Sequence, residues 1–451
     1  MSLGKIYRYI DGNAESFVDD LVRLVRQPSV SAKGEGIEAC AALVEEMMQG
    51  IGISTKILRG ERGYPVVYGE KKSEKSRKTI LFYDHYDVQP PEPLEKWLCK
   101  PFSGEIVDGK VYGRGASDNK GNLVSRLKAV QALLEVVGDV PVNIKFFVEG
   151  EEEIGSPNLE SLIKNHVDLF CADAAIWEFG GTDSFGRPNL YLGLKGVLSV
   201  ELKASGASRD VHSANAPIIP SAAWRLTWAL NLLKDVEEKV LIEGFYENVL
   251  SPGPKEIECV KNIPFEEEEI KKEMHLREFL KKRTGLEALK ALLYQPTCTI
   301  NGIVSGYTGE GSKTVLPHQA SAKLDFRLVP NQDPAHVFQK LKEHLTKHGF
   351  SDLEITKHGS TEPTKTPIED PFVKLVAGTA ERVYGKQAII YPTSAGSGPM
   401  HLFRNILGYP IVSIGCSHPE ANTHAPNENL KIKSFVKGTK FIAALINDFS
   451  L

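Results

Sequence analysis

Residues with metal-binding or acid–base chemistry occur in five short clusters of this 451-residue chain. The first, Asp84-His85-Tyr86-Asp87, follows the apolar run TILFY, and residues two apart on an extended segment point the same way. His85 and Asp87 can therefore reach one site, where an imidazole binds zinc and a carboxylate holds its other ring nitrogen. Taken alone, a His-x-Asp pair at a strand end more often has a structural role than a metal-binding one.

The second cluster is the glycine-rich segment GRGASDNKG at 113–121, which surrounds Asp118. Three glycines around one carboxylate indicate a tight loop whose backbone lies close to another group. Asp118 also precedes a helical pattern, so that an N-cap is an alternative interpretation. The segment lacks the G-x-x-x-x-G-K-[ST] pattern of a phosphate-binding loop.

The remaining clusters also follow apolar runs. Glu151-Glu152-Glu153 comes after NIKFFVEG, and Glu178 directly follows AAIW. His424 stands in NTHAPNE, just beyond YPIVSIG. Three carboxylates at the end of a buried strand repel one another unless a cation neutralises them, although a solvated charge run is the alternative. Of two adjacent carboxylates, one can bind the metal while its neighbour serves as the general base.

Together these clusters supply two imidazoles and three carboxylates, from His85, Asp118, Glu153, Glu178 and His424. Two divalent ions about 3.5–4 Å apart need a bridging carboxylate and roughly two further ligands each, which five residues provide. Oxygen and nitrogen donors without thiolate suit zinc, manganese or cobalt, and imidazole favours zinc.

The elements that must position these residues alternate between helix and strand. Helical spacing covers 14–27, 40–48 and 123–137, and short apolar runs at 79–83, 143–148, 174–177 and 411–414 predict strands. This alternation predicts an α/β sheet, in which ligands bind beyond the C-terminal strand ends.

The middle of the chain has a different pattern. Strand-like runs at 198–204 and 320–329, with helices at 221–233 and after Asp333, predict a small α+β domain inserted into the first. The charged tract FEEEEIKKEM at 265–274 is predicted to be a solvated helix because of its i, i+4 Glu/Lys spacing. We expect one discontinuous domain over 1–196 and 361–451, and an inserted domain over 197–360.

Composition narrows the class of protein. The chain is 41% apolar and 25% charged, which is ordinary for a globular protein, and its formal charge of −4 offers no general attraction to nucleic acid. Six scattered cysteines without a C-x-x-C pair predict reduced, buried thiols. No run approaches the roughly 18 apolar residues of a membrane span, and we expect a cytoplasmic protein without nucleic-acid or membrane partners.

In their order along the chain, these clusters resemble the co-catalytic metallohydrolase family that includes carnosinase, succinyl-diaminopimelate desuccinylase, acetylornithine deacetylase and glutamate carboxypeptidase. The resemblance runs from about Phe17 to the C-terminus. Within the family, the motifs are most similar to those of the carnosinase-like dipeptidase branch. It implies a zinc-exopeptidase-like catalytic domain with helices around a mixed sheet, and an inserted ferredoxin-like lid that forms a homodimer. The motifs are YDHYDVQP, W-x-x-x-P-F, GRGASDNKG, EGEEEIGS, DVHSA and NTHAPNE.

The resemblance implies two divalent ions, most simply zinc, with His85 on one and His424 on the other. Asp118 would bridge them, and Glu153 and Glu178 would complete the two sites. The carnosinase-like branch commonly has Asp at the fifth ligand position. Asp173 and Asp183 are therefore alternatives, although Glu178 directly ends AAIW and is favoured.

The resemblance also assigns catalytic roles. Glu152 would be the general base for the water between the metals, and Asp87 would orient His85. His212 of DVHSA would be the lid histidine that stabilises the oxyanion, often in the neighbouring subunit.

Substrate contacts are implied at three further positions. Arg327 in LDFRLVP would bind the substrate carboxylate, as suits a bidentate guanidinium. Thr314 in GSKTVLP and Ser397 in SAGSGPM match other substrate-contacting positions.

The implied activity is hydrolysis of dipeptides or short peptides with a free C-terminal carboxylate by a metal-dependent metallopeptidase. Two alternatives stay open. One is an N-acyl amino acid deacylase of the desuccinylase or deacetylase type. The other is a metal-binding homologue that has lost catalysis.

Overall fold

A large mixed sheet and a smaller antiparallel sheet organise the protein, whose computed structural model describes residues 3–451. Within that range the strands are β1 (Ser54–Leu58), β2 (Val66–Lys71), β3 (Thr79–His85), β4 (Glu105–Val107), β5 (Lys110–Tyr112), β6 (Asn143–Glu149), β7 (Ala174–Trp177), β8 (Asn189–Tyr191), β9 (Gly193–Leu194), β10 (Gly196–Ser205), β11 (Val211–His212), β12 (Thr297–Ser305), β13 (Val315–Leu316), β14 (Gln319–Leu328), β15 (Glu354–Thr361), β16 (Thr364–Lys365), β17 (Ile389–Tyr391), β18 (Ile411–Ser413) and β19 (Asn429–Lys431).

The α-helices of the same range are α1 (Leu3–Gly12), α2 (Ala14–Arg26), α3 (Ile37–Gly50), α4 (Lys120–Val137), α5 (Leu159–Asn165), α6 (Val167–Phe170), α7 (Ala222–Asn231), α8 (Pro254–Lys261), α9 (Glu267–Glu273), α10 (Gly285–Tyr294), α11 (Pro334–Lys347), α12 (Pro371–Tyr384), α13 (Met400–Leu402) and α14 (Ile432–Phe449). Each helix and strand that the hydrophobic pattern predicts overlaps one of these elements. None of the described helices is both long enough and apolar enough to cross a bilayer.

The large sheet has the order β1-β2-β6-β3-β7-β18-β8-β17. Its centre is parallel, with β3 between β6 and β7 and with β18 next to β7, whereas β2 and β8 join their neighbours β6 and β18 antiparallel. The predicted α/β class with a mixed sheet is confirmed. The C-terminal ends of the parallel strands meet at one edge, where their loops carry the predicted ligands.

Both faces of the central strands are buried. On β3, Ile80 and Phe82 pack in the core beneath the helical layer that contains α4 and α14, whereas Leu81 and Tyr83 pack in a second core with α5 and α13. This two-sided burial explains why TILFY is a continuous apolar run instead of an alternating one.

The smaller sheet is antiparallel with the order β12-β14-β10-β15, and α7 and α11 lie in the chain between its strands. This βαββαβ arrangement is the ferredoxin-like fold that the resemblance implied. The sequence pattern indicated only β10 and β14, because the outer strands β12 and β15 are largely exposed. The sheet spans Gly196 to Thr361, and the division into domains at 197–360 stays a prediction.

The predictions for the charged tract at 265–274 and for the six cysteines have different outcomes. The tract at 265–274 contains α9, on which Lys271 pairs with Glu267 at 3.1 Å, as its spacing predicts. All six cysteines are free, but the prediction that all are buried is wrong, because Cys171 is exposed and Cys99 and Cys259 are partly exposed. These three lie on surface segments whose surroundings the one-dimensional pattern does not reveal.

Candidate metal centre

Two groups of potential metal ligands share one carboxylate at the C-terminal edge of the large sheet. His85 ends β3, Glu178 directly follows β7, and Asp118 stands in the loop before α4; their ligand atoms lie within 4.8 Å of one another. Asp118, Glu153 and His424 form the second group by the same distance. The structure thus brings together all five residues that the sequence nominated.

Asp118 lies between two imidazoles. Its Oδ1 is 3.1 Å from His85 Nε2, and its Oδ2 is 3.1 Å from His424 Nε2. His424 Nε2 also lies 3.1 Å from Glu153 Oε2. One oxygen faces each histidine, which is the geometry of a carboxylate that can serve two cations.

The charges of this cluster strongly perturb one another. Burial acts to raise the pKa of Asp118, but hydrogen bonds from His424 and His85 outweigh it and hold that pKa below its usual range. The contacts with Asp118 and Glu153 raise the pKa of His424 to about 10. Burial, and next the charge of Glu152, raises the pKa of Glu178 well above its usual value.

The donor set fits divalent cations. Two imidazoles and three carboxylates converge, and no cysteine belongs to either group within residues 3–451. The mutual repulsion of three carboxylates is relieved by positive charge. Borderline cations such as zinc, and also manganese or cobalt, bind nitrogen and oxygen donors of this kind.

Asp87 lies beneath the loop that carries the acidic run. Its carboxylate oxygens accept hydrogen bonds from the backbone N–H groups of Glu152, at 3.2 Å, and Glu153, at 3.0 Å. His85 Nδ1 is 3.0 Å from the main-chain oxygen of Asp87 and 3.4 Å from its carboxylate. Asp87 therefore contacts both the His85 ring and the turn that presents Glu152.

Glu152 begins a short helical turn (Glu152–Ile154) shortly after β6, directly before Glu153 of the second metal-binding group. Burial raises the pKa of Glu152 to about 7, with His85 opposing the rise and Glu153 adding to it. Such a carboxylate can both take up and release a proton near neutral pH.

The loop that presents His424 has a constrained backbone. Asn422, His424 and Asn427 all have positive φ values, between 55° and 65°. Asn427 holds this loop through its side chain, which accepts from the N–H of Leu98 and donates to the oxygen of Lys96. Left-handed residues other than glycine persist only where their surroundings fix them, and they cluster at functional sites.

Sequence reasoning missed a buried carboxylate, Glu428, that organises the Asp118 loop. Its Oε1 accepts from the backbone N–H groups of Ser117 and Asp118, and its Oε2 accepts from that of Gly115 and from the guanidinium of Arg114. The signal was present, since Glu428 stands in the same NTHAPNE motif as His424.

Arg126 of α4 was also missed, because one Arg on a helix carries no motif. Its guanidinium donates to the main-chain oxygens of Tyr83 at 2.8 Å and Trp177 at 2.7 Å, and to the Asp84 carboxylate at 2.7 Å. It thereby joins the ends of β3 and β7, from which His85 and Glu178 project. Asn119 Nδ2 donates to the main-chain oxygen of Glu178 at 2.9 Å.

The two alternatives to Glu178 occupy other places. Asp173 accepts from the N–H of Thr79 at the start of β3, which is the opposite end of that strand from His85. Asp183 is paired with Arg187 at 2.7 Å. Neither belongs to a metal-binding group in the described part of the chain.

The predicted substrate-contacting residues fall into two pairs outside the metal-binding groups. Arg327 Nη1 donates to Ser397 Oγ at 2.9 Å, which links the small sheet to the loop before α13. His212 is exposed and lies beside Thr314, with His212 Nε2 3.5 Å from Thr314 Oγ1. The structure therefore brings Arg327 together with Ser397, and places His212 with Thr314 instead of among the metal-binding groups.

The mixed sheet and the grouped His, Asp and Glu ligands are those of a candidate metal-dependent enzyme. The model of Peptidase family M20/M25/M40 matches residues 81–448, and the chain belongs to this family. It is thus a metallopeptidase-class hydrolase, as the sequence motifs predicted.

Solved and curated relatives agree with this assignment. The M20 family metallo-carboxypeptidase Sso-CP2 from Sulfolobus solfataricus superimposes with a TM-score of 0.91 at 42% identity, covering 96% of this chain and 99% of that one. The Cys-Gly metallodipeptidase dug1 of Schizosaccharomyces pombe is 28% identical over 100% of this chain and 99% of its own length. The human Beta-Ala-His dipeptidase is 27% identical over 98% of this chain and 92% of its own.

Proposed function

We propose that the protein hydrolyses dipeptides that have a free C-terminal carboxylate, with two divalent cations bound at the metal-binding groups. One observation carries the proposal: Asp118 presents one oxygen to His85 and the other to His424, each at 3.1 Å. His85 and Glu178 would complete one cation site, and Glu153 and His424 the other. The donor chemistry favours zinc, with manganese or cobalt as alternatives.

Glu152 is the proton carrier of the proposed reaction. When bound, the cations supply a more acidic water and a polarised scissile carbonyl. Glu152 takes one proton from the attacking water as its oxygen bonds to the carbonyl carbon, and then delivers that proton to the leaving nitrogen as the C–N bond breaks. Asp87 positions Glu152 by accepting the backbone N–H of that residue.

Arg327 and Ser397 are proposed to bind the substrate carboxylate. A guanidinium fork matches a carboxylate, and the Ser397 hydroxyl lies 2.9 Å from it and can contribute a further donor. Lys195 lies nearby: its backbone N–H donates to the oxygen of Gly396, the residue before Ser397. The Lys195 side chain is itself buried and donates to the main-chain oxygen of Gln295 at 2.7 Å, so that the direct contact with the substrate carboxylate is assigned to Arg327 and Ser397.

His212 and Thr314 are proposed to act on the substrate of a second subunit. Neither residue belongs to a metal-binding group of its own chain among the described residues. A homodimer through the small sheet would supply the partner, and exposed apolar residues support this: Trp224 and Trp228 stack on α7, and Ile303 and Val304 are exposed on the edge strand β12. A protein that sediments as a monomer and is fully active would overturn the cross-subunit role. A cytoplasmic location likewise stays a prediction.

A substrate panel tests the function. The metal-loaded protein is assayed with dipeptides, with the same dipeptides amidated at the C-terminus, and with N-acetyl and N-succinyl amino acids. We expect hydrolysis of the free dipeptides and a large loss on amidation. Preference for the N-acyl compounds would assign a deacylase, and inertness toward every amide would assign a metal-binding homologue without catalysis.

A further inference from the structure

A cavity of about 510 Å³ opens beside the metal-binding groups and is lined, apart from Asp118, by side chains that the proposed mechanism does not use. Asp118 forms part of its wall, together with Phe179, which follows Glu178, and Thr423, which precedes His424. The cavity therefore adjoins the reacting end of the proposed site. We call it the His418 cavity, after the residue considered next.

His418 lines this cavity with only 7% of its surface exposed, and neither ring nitrogen has a hydrogen-bond partner within residues 3–451. Asn189, another lining residue, is 9% exposed, and its Oδ1 is also without a partner in the described chain. Buried polar groups are almost always satisfied, because an unmade hydrogen bond is costly. Two such groups in the wall of one cavity point to a polar ligand.

Apart from Asp118, one carboxylate of the wall is paired with an arginine and the other is exposed to solvent. Asp183 pairs with Arg187 at 2.7 Å, and Glu266 accepts from Ser184 at 3.1 Å. Burial first, and then the charges of Lys431 and Lys110, lower the pKa of His418 to about 4, against weaker opposing effects of Glu420 and Asn429. His418 is therefore a neutral ring at pH 7, with one donor and one acceptor nitrogen.

The cavity also has an apolar component. Phe179 and Tyr191 pack with ring centroids 5.0 Å apart, and Pro264 and Ile270, from the segment around α9, also line the cavity. Such a wall accommodates the carbon atoms of a side chain, while His418 and Asn189 provide the polar contacts that determine specificity.

We propose that the His418 cavity is the subsite for the side chain of the N-terminal residue of the dipeptide, and that His418 and Asn189 select an uncharged hydrogen-bonding group, a hydroxyl or a carboxamide. This inference rests on the proposed function. Arg327 and Ser397, which we propose to bind the C-terminal carboxylate, do not line the cavity, so that the other end of the substrate is the one that can enter it.

The test compares side chains of matched shape. Dipeptides Thr-Gly and Val-Gly form one pair, and Asn-Gly and Leu-Gly form another, each assayed for kcat/KM with the wild type, His418→Leu and His418→Gln. We expect the wild type to prefer Thr over Val and Asn over Leu by about tenfold or more in kcat/KM. The apolar side chain of Val or Leu would leave the buried polar groups of His418 and Asn189 without a hydrogen-bond partner. His418→Leu should bring both ratios close to one, and His418→Gln should restore part of the preference.

The control is His401→Leu, which alters another largely buried histidine whose Nδ1 has no partner in the described chain, in a cavity that excludes Asp118. This variant should keep the wild-type ratios. A wild type without preference, or ratios unchanged in His418→Leu, would overturn the inference. Because the Asn429 side chain acts on the His418 ring, the folding of His418→Leu is checked by circular dichroism, and Asn189→Leu replaces it as the test variant if it does not fold.

Failure of the proposed function would be recognised separately. If the wild type hydrolyses no dipeptide, calorimetric titration of the zinc-loaded protein with threonine, valine, asparagine and leucine tests the cavity directly. Tighter binding of threonine and asparagine, lost in His418→Leu, would support the subsite. Equal binding of all four amino acids, or none, would overturn it.

Discussion

The guanidinium of Arg114 donates to the carboxylate of Glu428 at 2.8 Å, although the two residues are 314 positions apart in the chain. Both side chains are about 1% exposed. Burial acts to raise the pKa of Glu428, and the charge of Arg114 opposes that effect. Because Glu428 also accepts from the backbone of the Asp118 loop, this ion pair connects the His424 segment to the carboxylate shared by both metal-binding groups.

Glu428→Gln should therefore weaken both the fold and the metal site. Loss of one partner of a buried ion pair leaves an uncompensated charge, here on Arg114, and typically costs about 3–5 kcal/mol in the free energy of unfolding. Chemical denaturation and metal analysis measure the two effects. The control Glu420→Gln, at an exposed carboxylate paired with Lys431, should change neither. Wild-type stability and metal content in Glu428→Gln would contradict this account.

Glu152→Ala should abolish turnover and leave the metal content near that of the wild type. General base catalysis contributes about 10²–10⁴ in rate, so that kcat should fall by at least this range. The neighbouring Glu151 is a matched control, because its carboxylate accepts from Asn158 at 3.0 Å. Glu151→Gln should keep most of the activity. Equal kcat in Glu152→Ala and the wild type would remove Glu152 from the mechanism.

The number of metal ions bound per chain should distinguish Asp118, the ligand shared by both groups, from ligands that belong to one group. We expect Asp118→Asn to reduce the affinity for both cations, since it contacts His85 and His424 alike, whereas Glu178→Ala should weaken only one site. Elemental analysis after dialysis measures the number of ions retained. Chelation should abolish activity, and readdition of zinc, manganese or cobalt should restore it. A chelated protein with full activity would exclude a metal-dependent reaction.

Substrate affinity should decrease at alkaline pH because of Lys195. Burial, with the charge of Arg327 adding to it, lowers the pKa of Lys195 to about 8. The Lys195 ammonium is buried and donates to the main-chain oxygen of Gln295 at 2.7 Å, so that below this pH it acts on the substrate carboxylate only through its charge, which adds to that of Arg327. As the pH rises through about 8, that charge and its attraction are lost. We expect kcat/KM for dipeptides to fall above about pH 8, and Lys195→Met to lack this alkaline limb. The same limb in Lys195→Met would assign it to another group.

The local pattern predicted the central elements well. TILFY became β3 because its two-sided burial requires an uninterrupted apolar run, and α4 covers the predicted helix at 123–137. The edge strands β12 and β15 escaped prediction because exposed strands need no apolar face. The ordered motifs also nominated all five ligands, since strand ends followed by His or acidic residues indicate the functional edge of a parallel sheet.

The roles of Arg126 and His418 could not be predicted in this way, and the role of Glu428 was indicated only by its place in the NTHAPNE motif. Each acts through partners distant in the chain: Arg126 donates to main-chain oxygens on β3 and β7, and His418 lines a cavity whose other walls come from separate segments. Their residue types alone fit ordinary surface or core positions equally well.

The amino-acid sequence by itself determined the chemistry available to this protein, namely the ligand types, their order and the strands that they follow, because these depend on local spacing and hydrophobic pattern. Only the tertiary structure decided that Asp118 faces two imidazoles, that Glu178 and not Asp173 or Asp183 joins them, and that His212 lies outside both metal-binding groups. Distances between remote segments depend on strand order and packing, which no local pattern contains.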